Sequence, residues 1–140
     1  MAEKYYYTLD PFPQETEYQN RIYKFYDFLK EGRLTSTKCK DCGFVPWPPR
    51  VVCPKCMSDN LEWIELPEEG EIYAFTVQES GVPMGFKAPL IFAMIKIGEV
   101  RFLSRIVDAN PEEVKVGGRV KLKVLEVPND RVLPAFALVK

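Results

Sequence analysis

The sequence contains no histidine. Imidazole is the commonest general base, the usual partner of an activated serine or cysteine, and the commonest ligand of a catalytic metal. Those routes are closed, which argues against an independent enzyme, although carboxylates and lysines remain. An excess of either charge is also lacking, since 19 Lys and Arg face 20 Asp and Glu. Residues 1–34 carry five basic and six acidic side chains, residues 35–66 four and four, and residues 67–140 ten and ten. A nucleic-acid binder draws affinity from neutralised phosphates and usually shows a positive domain or stripe. This chain shows neither. No apolar run approaches the roughly 20 residues that span a bilayer. Met1-Ala2-Glu3-Lys4-Tyr5 has no signal-peptide hydrophobic region. A cytoplasmic protein without membrane association is therefore expected, in a compartment where thiols stay reduced.

Cysteine is scarce, and its placement is the strongest signal in the chain. All four cysteines lie in two C-x-x-C pairs, Cys39/Cys42 and Cys53/Cys56, with ten residues between the pairs. Each pair can form a tight turn that aims two sulfurs at one point, and two facing turns give four thiolates at tetrahedral corners. Gly43 follows the first pair, where the chain often needs positive φ. Disulfides are disfavoured by the missing signal and by the clustering, and a redox C-x-x-C needs only one pair. Iron fits four sulfurs as well as zinc does, but a rubredoxin-type electron carrier leaves the rest of the chain without a purpose. Structural Zn²⁺ is the expectation. A closed four-sulfur site leaves no position for water or substrate, so it folds the domain and catalyses nothing.

Around this centre the chain divides into three parts. Residues 1–34 read as an aromatic arm and an amphipathic helix, 35–66 as the zinc ribbon, and 67–140 as a barrel. The arm holds Tyr5-Tyr6-Tyr7 and Pro11-Phe12-Pro13, rings that suit packing on the protein's own surface or docking a partner. From Glu15 to Lys30 the period is helical, with Tyr18, Ile22, Phe25, Tyr26 and Leu29 on one stripe and Gly32 placed to end it. Tyr23 and Phe28 fall off the stripe and require a second contact surface. Between the knuckles, Val45-Pro46-Trp47-Pro48-Pro49-Arg50 is stiff, and Trp47 is expected to cap the metal site or anchor packing. Leu61–Leu66 reads as a strand.

After Gly70 the period becomes two. Strands are expected at Glu71–Gln78, Leu90–Ile97, Val100–Val107, Arg119–Val127 and Val132–Val139, with a Gly98-Glu99 hairpin and a very short helix from Asn110-Pro111. Five strands with a short helix between the third and fourth is the order of an OB-fold. The fold class is thus mostly β: a helical arm, a rubredoxin-like ribbon and a five-stranded barrel. Two features of the barrel bear on function. The loop joining its first two strands sets Met84 and Phe86 beside Lys87, which suits a ligand with a greasy end and a phosphate, a protein partner, or self-packing alone. Arg101 and Arg105 flank Leu103 on one strand face, and such arginines grip phosphate or pair with local carboxylates. An RNA- or single-stranded DNA-binding barrel is the alternative, with stacked bases in a basic groove. The barrel's zero net charge weighs against it.

Several segments together resemble one family: Glu31-Gly32-Arg33-Leu34, Lys38-Cys39-x-x-Cys42-Gly43, Pro48-Pro49-Arg50, Cys53-Pro54-x-Cys56, Gly70-x-Ile72-x-x-x-Thr76 and Leu133-Pro134-Ala135-Phe136. It is the acyl-CoA-associated family long known as a domain of unknown function, which joins an N-terminal helix, a rubredoxin-like zinc ribbon and a C-terminal OB-fold. The resemblance implies a non-catalytic scaffold that sits with thiolase-like or hydroxymethylglutaryl-CoA-synthase-like enzymes and helps bind and channel acyl-CoA. It carries Cys39, Cys42, Cys53 and Cys56 over as metal ligands. Met84, Phe86, Lys87, Arg101 and Arg105 stay as candidate contacts to CoA or to a partner.

Overall fold

The stripe of Ile22, Phe25, Tyr26 and Leu29 forms helix α1 (Tyr23–Lys30), which buries Phe25 and Leu29. The computed structural model describes residues 12–84 and 86–139, so the Tyr5-Tyr6-Tyr7 arm lies outside the described residues. Helix α1 is shorter than the expected Glu15–Lys30, and Asn20 is the reason. Its side-chain amide donates to Gln14 O at 2.8 Å, and its side-chain oxygen accepts the Ile22 N–H at 3.0 Å. Such local bonds offer the backbone an alternative to the helix. One expectation fails with the missing turns: Tyr18 is 89 % exposed and takes no part in the stripe. Glu15, ahead of it, is only 6 % exposed.

Glu15 is buried for a purpose. Its carboxylate accepts the Val132 N–H at 3.1 and 3.3 Å, tying the N-terminal segment to the barrel. Burial raises its pKa above the ordinary 4.5, against the opposing pull of the Val132 amide, Lys30 and Arg131, and with help from Asp130. An acid with a raised folded pKa lends stability that is complete below its unfolded pKa and fades as pH climbs through the folded one. Glu15→Gln keeps an acceptor for Val132 and removes the titration. The wild type should therefore lose stability relative to Glu15→Gln as pH rises from 4 to 7, read as the difference between their urea midpoints. A difference that stays flat, or that reverses sign, would refute this assignment.

The ribbon contributes a two-stranded antiparallel sheet, β1 (Thr35–Cys39) and β2 (Leu61–Glu65), in the register Ser36 to Ile64 and Thr37 to Trp63. Strand β1 is unusual in burying Thr35, Ser36 and Thr37. Two of those hydroxyls serve the proline-rich loop. Ser36 Oγ donates to Pro46 O, and Thr37 Oγ1 donates to Arg50 O at 2.8 Å while accepting the Arg50 N–H at 3.0 Å. A loop with three prolines is short of backbone donors. Buried hydroxyls from the neighbouring strand satisfy carbonyls that the loop cannot satisfy itself.

The remaining strands close a barrel. They are β3 (Glu69–Gln78), β4 (Leu90–Ile97), β5 (Val100–Ile106), β6 (Arg119–Val127) and β7 (Arg131–Leu138), in the order β3-β4-β5-β7-β6 with β6 returning to β3. A 3₁₀ turn at Pro111–Glu113 sits between β5 and β6, opened by a Glu113 carboxylate that accepts the Asn110 N–H at 3.1 Å. This is the OB-fold order. The strands alternate as expected: Ile91, Ala93, Ile95 and Ile97 of β4 and Val100, Phe102 and Ile106 of β5 are buried. A bulge between Ile72 and Ala74 shifts the β3–β4 register.

Barrel and helix share one core. Phe25, Leu29 and Leu34 cluster with Ile72, Ile95, Phe102, Val120 and Phe136. Trp47 from the ribbon loop lies between the two: its ring packs tilted against Phe102 at 4.2 Å and meets Phe25 edge-on at 5.5 Å. Phe102 continues the chain to Phe136 at 5.4 Å. Trp47 is thus a packing anchor. Phe28, off the helical stripe, finds its second surface within the chain, against Trp63 at 5.8 Å with the Arg33 guanidinium 4.6 Å from its ring. Among the described residues no helix is long and apolar enough to cross a membrane.

Candidate metal centre

The four cysteines meet. The sulfurs of Cys39, Cys42, Cys53 and Cys56 all lie within 4.8 Å of one another, with Cys39 and Cys56 at 3.5 Å and Cys42 and Cys53 at 3.6 Å. Four thiolates at about 2.3 Å from one Zn²⁺ stand about 3.8 Å apart at tetrahedral corners. The donor set therefore fits a structural zinc ion, and these four residues would hold it.

Two matching turns build the centre. In the first, Gly43 N–H donates to Cys39 O at 2.9 Å and Cys39 N–H to Phe44 O at 2.9 Å. In the second, Met57 N–H donates to Cys53 O at 2.9 Å and Cys53 N–H to Ser58 O at 2.8 Å. The fifth residue of each turn is left-handed, Gly43 at φ 80° and Met57 at φ 66°. The first was legible because glycine marks it; the second was not, because methionine does not. Asp41 ties the turns together by accepting from Ser58 Oγ and from Asn60 Nδ2.

Within each turn the first sulfur is the better anion. Burial opposes ionisation of Cys39, but the Cys42 and Asp41 amides and the Cys56 thiol bring it down to about 7. Cys53 is lowered in the same way, its burial outweighed by the Cys56 and Lys55 amides. Cys56, despite the Ser58 amide that pulls it down, is pushed up to about 12 by its bond to Cys39. Two sulfurs thus carry built-in support for negative charge, as a cation-binding cluster requires.

The other candidate residues fall on the barrel. Phe86 folds back so that Arg105 of β5 stacks beneath it, the guanidinium carbon 4.5 Å from the ring, and Phe12 meets the same ring edge-on at 5.9 Å. Nε and Nη1 of Arg105 are buried without a hydrogen-bond partner among the described residues, and burial lowers its pKa. Arg101 rests on Tyr73 at 4.4 Å. Met84 and Lys87 are exposed. The structure thus joins Phe86 to Arg105, while Arg101 turns to a ring that sequence reasoning did not single out. Tyr73 was missed because an aromatic partner across strands leaves no local pattern, whereas Phe12 of the arm packs on the protein's own surface, one of the two roles its sequence suggests.

Comparison with known proteins agrees with this architecture. Residues 27–62 match the family profile described as the ChsH2 rubredoxin-like zinc ribbon domain, and residues 63–125 match the ChsH2 C-terminal OB-fold domain. A DUF35 domain-containing scaffold protein of Methanocaldococcus jannaschii is 35 % identical over 101 residues, covering 69 % of this chain and 71 % of that one. The benzoylsuccinyl-CoA thiolase subunit BbsA of Thauera aromatica is 28 % identical, over 70 % of this chain and 67 % of its own length. A probable enoyl-CoA hydratase alpha subunit of Thermomonospora curvata is 26 % identical over 80 % of this chain, which spans only 35 % of that longer protein. Among solved structures, a chain of the Ltp2-ChsH2(DUF35) aldolase superposes with a TM-score of 0.73 at 26 % identity, covering 82 % of this chain and 91 % of its own. Ribbon, barrel and their order in the chain thus lead to one conclusion: this chain belongs to the ChsH2 (DUF35) family.

Proposed function

We propose that the chain is a non-catalytic accessory subunit that binds a thiolase-like or hydroxymethylglutaryl-CoA-synthase-like enzyme in the cytoplasm and helps it hold acyl-CoA. The observation that carries this reading is the similarity, across ribbon and barrel together, to chains called scaffold protein and thiolase subunit. The cysteine centre supports it. Four sulfurs close a metal to substrate, so Zn²⁺ at Cys39, Cys42, Cys53 and Cys56 would serve folding alone. Iron would fit the same sulfurs. In this reading residues 1–34, 35–66 and 67–140 act as arm, ribbon and barrel, and Met84, Phe86, Lys87, Arg101 and Arg105 are its contacts to CoA or to the partner. Holding an acyl-CoA near a second site raises its local concentration without any new chemistry.

The test is affinity purification of the tagged chain from its own host, with mass spectrometry and nucleic-acid staining of the eluate. A thiolase-like or synthase-like enzyme at near-equal stoichiometry is expected, and CoA binding is then measured on that complex. Salt-labile RNA with no such enzyme would overturn the reading in favour of an oligonucleotide-binding barrel.

A further inference from the structure

The outer face of strands β3, β4 and β5 is left uncovered in a way that matches one kind of partner. Leu103, at its centre, is 62 % exposed, Tyr73 is 53 % exposed and Phe75 37 %. Ala74, Phe75, Thr76, Phe92, Met94 and Leu103 line an apolar dent of about 240 Å³, room for one large aliphatic or aromatic side chain. Arg101 and Arg105 stand on either side of Leu103 on the same strand face, about 13 Å apart at a strand's rise per residue. Neither forms an ion pair among the described residues. Each guanidinium is instead parked on a ring, Arg101 on Tyr73 and Arg105 on Phe86.

A cation deprived of water and of a counter-charge is costly to keep. Arg105, whose buried Nε and Nη1 find no acceptor among the described residues, pays that cost in the free chain. The centre of the face, Tyr73-Ala74-Phe75-Thr76, Phe92-Ala93-Met94 and Arg101-Phe102-Leu103-Ser104-Arg105, holds no acidic residue, and Glu71 and Lys96 close its end in one cross-strand row with Arg101. Aromatics, methionine and arginine are the residues enriched at protein interfaces, where lysine and acids are depleted. A phosphate-tracking groove would need a denser row of cations.

We infer that this face is a protein-docking surface for an extended partner segment that carries an apolar side chain between two carboxylates. The apolar side chain fills the dent over Leu103, and the carboxylates take Arg101 and Arg105 from their rings. The inference names the partner contact for the accessory role proposed above, and rests on that role only for the partner's identity.

Two measurements test it on the full zinc-loaded chain. In the first, amide NMR follows titration with acetyl-Glu-Val-Leu-Val-Glu-amide and with a Lys-flanked control. The acidic peptide should shift the amides of residues 92–94 and 101–105, weaken with salt, and bind about tenfold less well to Arg101→Glu and to Leu103→Asp. Both substituted side chains are exposed, and an unchanged spectrum elsewhere confirms folding. Equal binding of the Lys-flanked peptide, or shifts confined to other residues, would overturn the inference. So would CoA or a thymidine decamer shifting these amides where the acidic peptide does not. In the second, the same variants are purified from the host. If the wild type brings down a thiolase-like enzyme and Leu103→Asp brings down as much, this surface is wrong and the accessory role stands. If no enzyme is recovered but the acidic peptide binds at Arg101 and Arg105, the surface stands and the accessory role falls.

Discussion

Replacing Cys39 and Cys56 by serine together should unfold the ribbon and lower the thermal midpoint of the whole chain by more than about 10 °C. The two sulfurs come from different turns and sit 3.5 Å apart, so their loss leaves two donors and no closed site. Structural zinc contributes about 10–16 kcal/mol in zinc-finger peptides, far beyond what the two short strands of the ribbon could replace. The effect should reach the barrel, because Trp47 leaves Phe102 and Phe25 when the proline-rich loop loses its frame. Elemental analysis should find one zinc per wild-type chain and a colourless protein, and calorimetry should report the fall. A double variant with an unshifted midpoint would show that the cysteines are not a structural centre. A red preparation would assign iron to the same four sulfurs.

Gly70→Ala should cost about 3 kcal/mol and about 10 °C. A Cβ at this position would stand 2.5 Å from Ile97 Cγ1, 2.8 Å from the Lys96 carbonyl and 2.9 Å from Ile95 Cγ2. The carbonyl is the decisive neighbour. It belongs to the β4 backbone and cannot yield without disturbing the β3–β4 ladder. Gly70 also pairs with Val120 where β3 meets β6 and the barrel closes. Gly32 makes the control: it has φ 80° but nothing within 4 Å of a built Cβ. Gly32→Ala should cost only the left-handed backbone term of about 1 kcal/mol. Urea midpoints of the two variants separate space from conformation, and equal costs would refute the packing argument.

The barrel was readable because its strands are half-buried, and a half-buried strand writes its two faces into alternate residues. Val120 against Arg119 and Lys121 is the clearest case. The knuckles were readable because sulfur has few other reasons to occur in spaced pairs. The start of α1 was not, since the stripe from Tyr18 continues the period while Asn20 takes the backbone bonds that would carry it. Periodicity records which side chains could share a face, not which backbone donors are already spent. Ser36 and Thr37 escaped notice for a related reason, because their service to the proline-rich loop is visible only when the two segments lie side by side. The ends of the barrel-face contact were named separately, Phe86 in a loop and Arg105 in a strand. Only the closed barrel puts one over the other.

Three residues, Leu66-Pro67-Glu68, separate the end of β2 from the start of β3, and the Leu66 N–H is bonded to Leu34 O at 2.8 Å. With Trp47 of the ribbon loop packed on Phe102 of the barrel and Phe25 of the helix, ribbon and barrel meet through a filled joint. A tether raises the encounter rate of whatever it links but leaves the angle between them free. A bracket fixes the angle. A ribbon held this way keeps one bearing against its barrel, and an insertion of a few glycines at Pro67 would turn the bracket back into a tether.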